Sequence, residues 1–220
     1  MRFYGMILGA ALCLTAFQAQ AAPTTYRFTA SVFFASNDVG FFGAVSTGNV
    51  VTGEFTIDPS DVASAVFSDS SLYFSPNAQI SASVSGIDIS KAGSLIQVTD
   101  DSPFAYDSFD LIGAGAGDAG TGLGYGYSSA GISFVNEVDP DTFTSLSIPS
   151  NLSLSDFEGH MNLAIISFNG FVSETEFDRW DGFTADITSL ERVTAVPLPA
   201  GLPLLALGLA LLGTVRRLPG

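Results

Sequence analysis

Acidic side chains are concentrated in two short stretches in the middle of the chain: Asp100, Asp101, Asp107 and Asp110, and then Asp139 and Asp141. Carboxylate oxygens at short spacing suit Ca²⁺, which takes about six to eight oxygen ligands. The sequence has no EF-hand pattern, so the first stretch predicts at most a weak calcium site. Two interpretations stay open: solvated acidic loops, or a loop that binds calcium weakly through the first four of these aspartates.

Trp180 is the single tryptophan of the chain, and it is flanked by Asp178, Arg179 and Asp181. An aromatic ring beside hydrogen-bonding side chains can stack on a sugar ring, so Trp180 is a candidate sugar contact. The alternative is a tryptophan at the edge of the core. Glycoside hydrolysis would also need two carboxyl groups about 5–10 Å apart, and a sequence with 22 acidic residues singles out no such pair.

Other catalytic patterns are incomplete in this sequence. His160 is the only histidine, and the Gly-x-Ser-x-Gly motif of serine hydrolases is absent. Gly115–Gly120 fits G-x-G-x-x-G, but no strand–helix unit surrounds it. The single cysteine is Cys13, near the N-terminus, which excludes disulfides, cysteine zinc sites and thiol catalysis from the remaining chain. We therefore predict no catalytic residue, and no cofactor apart from weakly bound calcium.

The charge balance narrows the choice of partners. Only 13% of the 220 residues are charged, against about 25% in an average soluble domain. All 22 acidic residues lie between Asp38 and Glu191, whereas residues 22–195 contain four basic residues, so the formal charge of this body is 4 − 22 = −18. Such a body repels nucleic acid and anionic lipid, and we predict no nucleic-acid partner.

The N-terminal segment has the pattern of a secretory signal peptide over residues 1–21. Arg2 supplies a positive charge, and Met6–Phe17 is an apolar run of 12 residues, too short to span a bilayer. Ala19 and Ala21 form an A-x-A cleavage site, so we expect signal peptidase to cut before Ala22. This pattern predicts export.

The C-terminal segment, residues 196–220, has the pattern of one short transmembrane helix. Leu198–Val215 comprises 18 uncharged residues, close to the lower limit of about 17 for a span. Arg216 and Arg217 follow at once and should remain cytoplasmic by the positive-inside rule. The body, residues 22–195, would then lie outside, in agreement with the signal peptide.

The start of this C-terminal segment also carries a family resemblance. Five consecutive residues form the motif: Val196, Pro197, Leu198, Pro199 and Ala200. Together with the apolar helix and the arginine pair, they resemble the VPLPA variant of the PEP-CTERM sorting signal. The better-known form has glutamate where this chain has Leu198, so a dedicated relative of the usual processing enzyme is the expected partner.

The resemblance implies a substrate of an exosortase-like membrane protease that cuts near the motif in a Gram-negative bacterium. The chain would be anchored transiently in the inner membrane and would then reach the cell surface or the extracellular space. Proteins with such tails occur alongside exopolysaccharide and biofilm genes, so exopolysaccharide is a further implied partner.

The body is predicted to be mainly β, because apolar and polar residues alternate along it. Tyr26, Phe28, Ala30, Val32 and Phe34 share one face of a first strand. Further strands are expected at residues 51–57, 80–84, 87–89, 95–99, 131–138, 143–148, 163–168 and 183–193, with a turn or bulge at Gly86. Residues 113–131, rich in glycine, are expected to form a loop, and short helical pieces are expected near 154–158 and 173–179.

These short strands and turns favour a single antiparallel β-sandwich, jelly-roll-like, over residues 22–195. The function expected from the sequence is that of an exported, non-enzymatic surface or matrix protein with a structural or interaction role in exopolysaccharide or biofilm. The alternative is a carbohydrate-binding module or a polysaccharide-acting enzyme on the same scaffold. A third option is an adhesin that works through exposed strand edges.

Overall fold

A computed structural model of the protein describes residues 23–100, 106–137, 139, 141–157 and 163–193. The described residues form nine strands: β1 Thr24–Asn37, β2 Val50–Ile57, β3 Ala65–Val66, β4 Ser70–Val84, β5 Ile87–Thr99, β6 Asp107–Ala116, β7 Tyr127–Asn136, β8 Leu163–Phe171 and β9 Asp181–Val193. One turn of 3-10 helix, Leu154–Phe157, lies between β7 and β8. The prediction of a mainly β body is confirmed.

The sheet closes into a barrel. From β4 to β9 each strand pairs antiparallel with the next, and β1 pairs with β2 on one side and β9 on the other. A pairing of β2 with β4 completes a ring of eight strands, and β3 adds a short edge to the start of β4. The predicted antiparallel β-sandwich, jelly-roll-like, is therefore wrong. The alternating pattern demands one buried face per strand, and a closed single sheet meets that demand as well as two stacked sheets do.

Phenylalanine side chains fill the barrel. Phe28, Phe55, Phe134, Phe168 and Phe183 all point inward and are almost completely buried. Rings from distant strands touch, since the centroids of Phe55 and Phe134 lie 6.1 Å apart. A barrel of about eight strands has an interior just wide enough for side chains. Side chains rather than a ligand chamber therefore occupy the centre of the described barrel.

The two ends of the barrel differ. The terminal end is where β1 begins and β9 finishes; the connections β2–β4, β5–β6 and β7–β8 also lie there. Residues 142–157 of the β7–β8 connection cover it with the buried side chains of Phe143, Ile148, Leu152 and Phe157. The Tyr26 hydroxyl oxygen accepts a hydrogen bond from the Leu152 N–H at 3.0 Å. The opposite, distal end carries the connections β1–β2, β4–β5, β6–β7 and β8–β9.

Local turn chemistry explains the β4–β5 hairpin. Ser85 and Gly86 form a two-residue connection with φ values of 51° and 81°. Two consecutive left-handed residues are what a tight hairpin turn of this kind requires, and glycine adopts them without strain. The predicted turn at Gly86 is confirmed.

Several local predictions are wrong. Residues 113–116 belong to β6 and residues 127–131 to β7, so the predicted glycine-rich loop is confined to the residues between these strands. Glycine is tolerated in β6 because neighbours approach closely: a Cβ on Gly113 would lie 2.7 Å from the Lys91 Cβ. Residues 143–148 contain no strand and residues 173–179 no helix.

The first strand contains a β-bulge, so the prediction that Phe34 shares a face with Val32 is wrong. Val32 points into the barrel, but the register of β1 against β9 shifts between Val32 and Phe34. Phe34 then pairs with Thr184 and lies on the outer wall, 47% exposed. One extra residue in a strand reverses the face of every residue after it.

Among the described residues no helix is long and apolar enough to cross a membrane. The predicted signal peptide, including Ala19 and Ala21, and the predicted transmembrane helix lie outside the residues that the structure describes. The same is true of the sorting motif and of the pair Arg216 and Arg217.

Candidate functional site

The structure separates the aspartates of the predicted calcium loop. Asp107 points into the terminal end of the barrel, is 0% exposed, and accepts the Phe143 N–H at 2.7 Å. Asp110 lies three residues further along β6 and therefore faces the outer wall, where it accepts hydrogen bonds from the hydroxyls of Ser108 and Ser133. Burial raises the pKa of the Asp110 carboxyl, and the two serine hydroxyls oppose this effect.

Asp100 and Asp101 are the other two aspartates of the predicted calcium loop. The Asp100 N–H donates to the Asp69 carbonyl at 3.0 Å, and Asp101 lies outside the described residues. Within the described ranges, no three His, Cys, Asp or Glu side chains come together as a metal site. The structure therefore brings Asp107 and Asp110 to opposite faces of one strand, and weak calcium binding stays a prediction.

A buried carboxylate organises the distal end. Asp181, the first residue of β9, is 0% exposed and accepts the backbone N–H groups of residues 39–42 at 2.8–3.2 Å. The Tyr125 hydroxyl donates to the same carboxylate at 3.0 Å. Burial, and then the negative charge of Asp181, raises the pKa of Tyr125. Five donors surround this one carboxylate, so Asp181 holds the β1–β2 connection in place.

Trp180 lies on the outer wall of the barrel at the distal end. Its six-membered ring rests on the backbone of β9, because a Cβ on Gly182 would lie 2.7 Å from the Trp180 Cζ3 atom. Its carbonyl accepts the Asp38 N–H at 3.2 Å and the Ser36 hydroxyl at 3.3 Å. The indole is half-buried: it does not enter the barrel core, and part of its surface stays open to solvent.

Trp180 belongs to a row of outward-facing rings that we call the aromatic band. Its members are Phe34 of β1, Trp180, Phe171 of β8, Tyr127 of β7 and Phe177 of the β8–β9 connection. Ring centroids lie 5.9 Å apart for Phe34 and Trp180, and 5.0–6.1 Å apart among the other three. The band crosses four adjacent strands, which together span about 14 Å at the usual strand spacing.

Polar and acidic side chains surround the aromatic band. Asn169 pairs with Gly182 in the β8–β9 ladder, so it stands beside the strand position on which Trp180 rests. Exposed acids flank the band: Asp38, Glu174, Glu176, Asp178 and Asp186. Arg27 and Glu54, joined at 2.8 Å, form the one salt bridge in the described part of the chain. The acids near the band are therefore not neutralised by ion pairs.

A concavity lies at the terminal end. It is a cleft of about 410 Å³ formed by residues 142–157 together with Pro59. Among the residues that the structure describes, serine, threonine and asparagine side chains line it together with apolar ones, and Asp156 is the single acid. Hydrolysis of a glycosidic bond uses two carboxyl groups on either side of the bond. The described lining of this cleft therefore contains no such pair.

The sequence singled out Trp180 but missed the rest of the aromatic band. Tyr127 and Phe171 are register partners on the outer face, a pairing that no local pattern announces. The adjacent Phe33 and Phe34 break the alternation of β1, and that break was the one available signal of a bulge.

The fold and the band together define an eight-stranded antiparallel barrel with a filled interior and an external aromatic surface at its distal end. No protein-family model matches this chain, and neither the curated proteins nor the solved structures contain a significant match to it.

Proposed function

We propose that this chain is an exported protein whose barrel acts outside the cell as a structural or interaction module, without catalysis. Support comes from the filled interior, which offers no chamber for a substrate, and from the outer wall. That wall is rich in hydroxyl side chains, for example Thr25, Thr29, Thr52, Ser81 and Ser133. Uncharged hydroxyl groups and a net negative body favour solubility without tight packing against other surfaces.

The proposal includes processing at both ends of the chain. Signal peptidase cuts after Ala21, and an exosortase-like protease cuts near Val196–Ala200. Arg216 and Arg217 hold the C-terminal helix in the inner membrane until that cut. The body then reaches the cell surface or the extracellular matrix of a Gram-negative bacterium, where exopolysaccharide is its neighbour.

The observation that carries this proposal is the placement of the chain ends. Thr25 of β1 pairs with Val193 of β9, so both connecting segments leave the barrel at its terminal end. A body tethered through its C-terminus would therefore turn its distal end, with the aromatic band, away from the membrane. This is the orientation in which an anchored interaction module can reach a partner.

A carbohydrate-binding module is the second candidate function. The outward position of Trp180, beside Phe34 and on the backbone of Gly182, is the specific observation that favours it. A polysaccharide-acting enzyme would in addition need two carboxyl groups held about 5–10 Å apart on either side of the scissile bond, and the position of Trp180 by itself supplies no such pair.

Intact-mass and C-terminal peptide analysis of the mature protein from its native host tests the processing. We expect a chain that starts at Ala22 and ends within Val196–Ala200. Replacing Pro197 and Pro199 by alanine should leave the tail uncut, whereas Pro149→Ala in the body should not affect processing. A wild-type chain that keeps Arg216 and Arg217 would overturn the sorting proposal.

A further inference from the structure

We propose that the aromatic band binds polysaccharide chains that carry free amino groups. This inference rests on the proposed function only in that the barrel must meet such a polymer outside the cell. It goes beyond that function because it names the surface and the chemical class of its ligand.

The geometry of Trp180 supplies the first argument. The indole is supported from below by the Gly182 backbone, and Phe34 flanks it at 5.9 Å with an angle of 31° between the ring planes. Hydrogen bonds from Ser36 and Asp38 to the Trp180 carbonyl fix its backbone. A rigid, supported ring binds with little loss of conformational entropy, as aromatic anchors in interfaces do.

The length of the band supplies the second argument. Phe171 and Phe177 lie 5.0 Å apart, and Tyr127 is 5.7 Å from Phe177, so a second group of rings stands two strands away from Phe34. Sugar rings present C–H groups with partial positive charge on their flat faces, and aromatic faces are negative. Two groups of rings along one wall suit successive sugars of an extended chain.

The negative charge of the protein determines which polysaccharide chains the band can bind. The acids beside the band, Glu174, Glu176 and Asp178, are exposed, and no salt bridge involves them in the described part of the protein. Arg179 is engaged with the Asp38 carbonyl at 2.6 Å. A body of formal charge −18 repels uronate or sulfate polymers, whereas ammonium groups are attracted both by carboxylates and by the faces of aromatic rings.

Contact between exposed rings distinguishes the band from scattered apolar residues. Phe177 is 53% and Phe34 47% exposed although each touches another ring. Phe74, at 71%, is more exposed, but none of the ring pairs of the described residues includes it. Isolated apolar residues are common on protein surfaces, whereas grouped ones mark binding sites. Phe74 is therefore a suitable control position.

The test compares two ligands with the same sugar backbone, one with charged amino groups and one in which these groups are acetylated and neutral. The full chain, purified as its host produces it, is titrated calorimetrically with a short β-linked glucosamine oligomer and with its N-acetylated counterpart. We expect the glucosamine oligomer to bind more tightly, and NaCl raised from about 0.05 M to about 0.5 M to weaken its binding. Trp180→Ala should weaken binding by about tenfold or more, whereas Phe74→Ala should leave it unchanged.

A variant without the acids beside the band separates stacking on the aromatic rings from electrostatic attraction of the amino groups. The combined change Glu174→Gln, Glu176→Gln and Asp178→Asn should remove most of the preference for the amino form, and Asp88→Asn, an exposed acid elsewhere, should not. Equal or tighter binding of the N-acetylated oligomer, or binding of glucosamine that survives Trp180→Ala, would overturn the inference. Mass analysis tests the processing separately. An uncut chain that binds the glucosamine oligomer would therefore contradict only the sorting proposal.

Discussion

At the scale of single residues, Asp181 has a clear structural role. Its carboxylate collects donors from the β1–β2 connection and from Tyr125, and it is the residue from which β9 starts. It thereby joins three parts of the distal end that are distant in sequence. A charged group can remain buried here because five donors hydrogen-bond to it.

Asp181→Asn should destabilise the protein by roughly 3 kcal/mol, because buried donors without an acceptor cost about 1–3 kcal/mol each. One carboxylate oxygen accepts from Val39 and Gly40, and the other accepts from Phe41, Phe42 and Tyr125, so an amide group can serve only one of these sets. Urea unfolding at pH 7 measures the change. Asp186→Asn, on the exposed face of the same strand, is the control and should change the free energy of unfolding by less than about 0.5 kcal/mol.

Alkaline pH should destabilise the barrel through Tyr125. Its pKa is raised in the folded protein by burial and by Asp181, whereas in the unfolded chain it is about 10. Above pH ~10 the unfolded state loses the proton first, so the contribution of Tyr125 is complete below that pH and is lost as the pH rises further. Unfolding free energies measured between pH 8 and 11 should therefore fall, and Tyr125→Phe should show a shallower fall. Equal slopes for both proteins would contradict this assignment.

At the scale of elements, strand glycines decide how closely rings approach the sheet. Gly182 lies under Trp180, and Gly170 lies under Tyr125, whose ring atoms would be 2.8 Å from an added Cβ. In both cases the ring covers a stretch of strand that has no side chain of its own. These positions connect β8 and β9 to the distal end and to the aromatic band.

Gly182→Ala should destabilise the protein by about 2–3 kcal/mol, because an added methyl group forces backbone and rings to shift. The new Cβ would lie 2.1 Å from the Phe168 carbonyl oxygen and would displace Trp180. Thermal unfolding and the fluorescence of Trp180 report the two effects. Gly131→Ala on β7 is the matched control: its nearest neighbour is at 3.4 Å, so stability and fluorescence should hardly change. Equal losses for both variants would argue against the ring–glycine contact.

The elements also show how far sequence patterns reach. Alternation located β1, β2 and β9, and the change of its phase at Gly86 marked a turn or bulge, because both signals are local. The start of β6 was missed because Asp107 and Asp110 look like an acidic loop, although one carboxylate is bound by a backbone N–H and the other by serines. The Phe143 N–H and the Ser133 hydroxyl come from distant parts of the chain, and spacing along the sequence carries no trace of them.

At the scale of the whole molecule, the choice between sandwich and barrel depends on long-range pairing. The strand pattern is the same for both architectures, and the ladder between the first and last strands decides between them. Likewise, Trp180 could be singled out as a residue, but the aromatic band exists only once four strands are aligned. Patterns in the sequence therefore indicate the strands, whereas the pairing of distant strands is known only from the structure.

The excess negative charge should make stability depend on salt. Raising NaCl from about 10 mM to about 150 mM shortens the screening length from about 30 Å to about 8 Å, which reduces repulsion within a body of formal charge −18. We expect the melting temperature to rise. CaCl₂ and MgCl₂ compared at matched ionic strength test the predicted weak calcium site, and equal effects of the two salts would argue against it. A distinctly larger effect of calcium would instead support a calcium site in the stretch from Asp100 to Asp110.

Closure by the first and last strands has a consequence for the order of folding. A chain that emerges from its N-terminus has no complete ring until β9 arrives, because β1 waits for that partner. Until then β1 and the most recent strand both expose unpaired backbone groups, and such open edges invite association between chains. A protein truncated before Asp181 would lack β9 and would form an open sheet rather than a smaller closed barrel. Pairing of β9 with β1 and β8 thus closes the ring and at the same time removes both exposed edges.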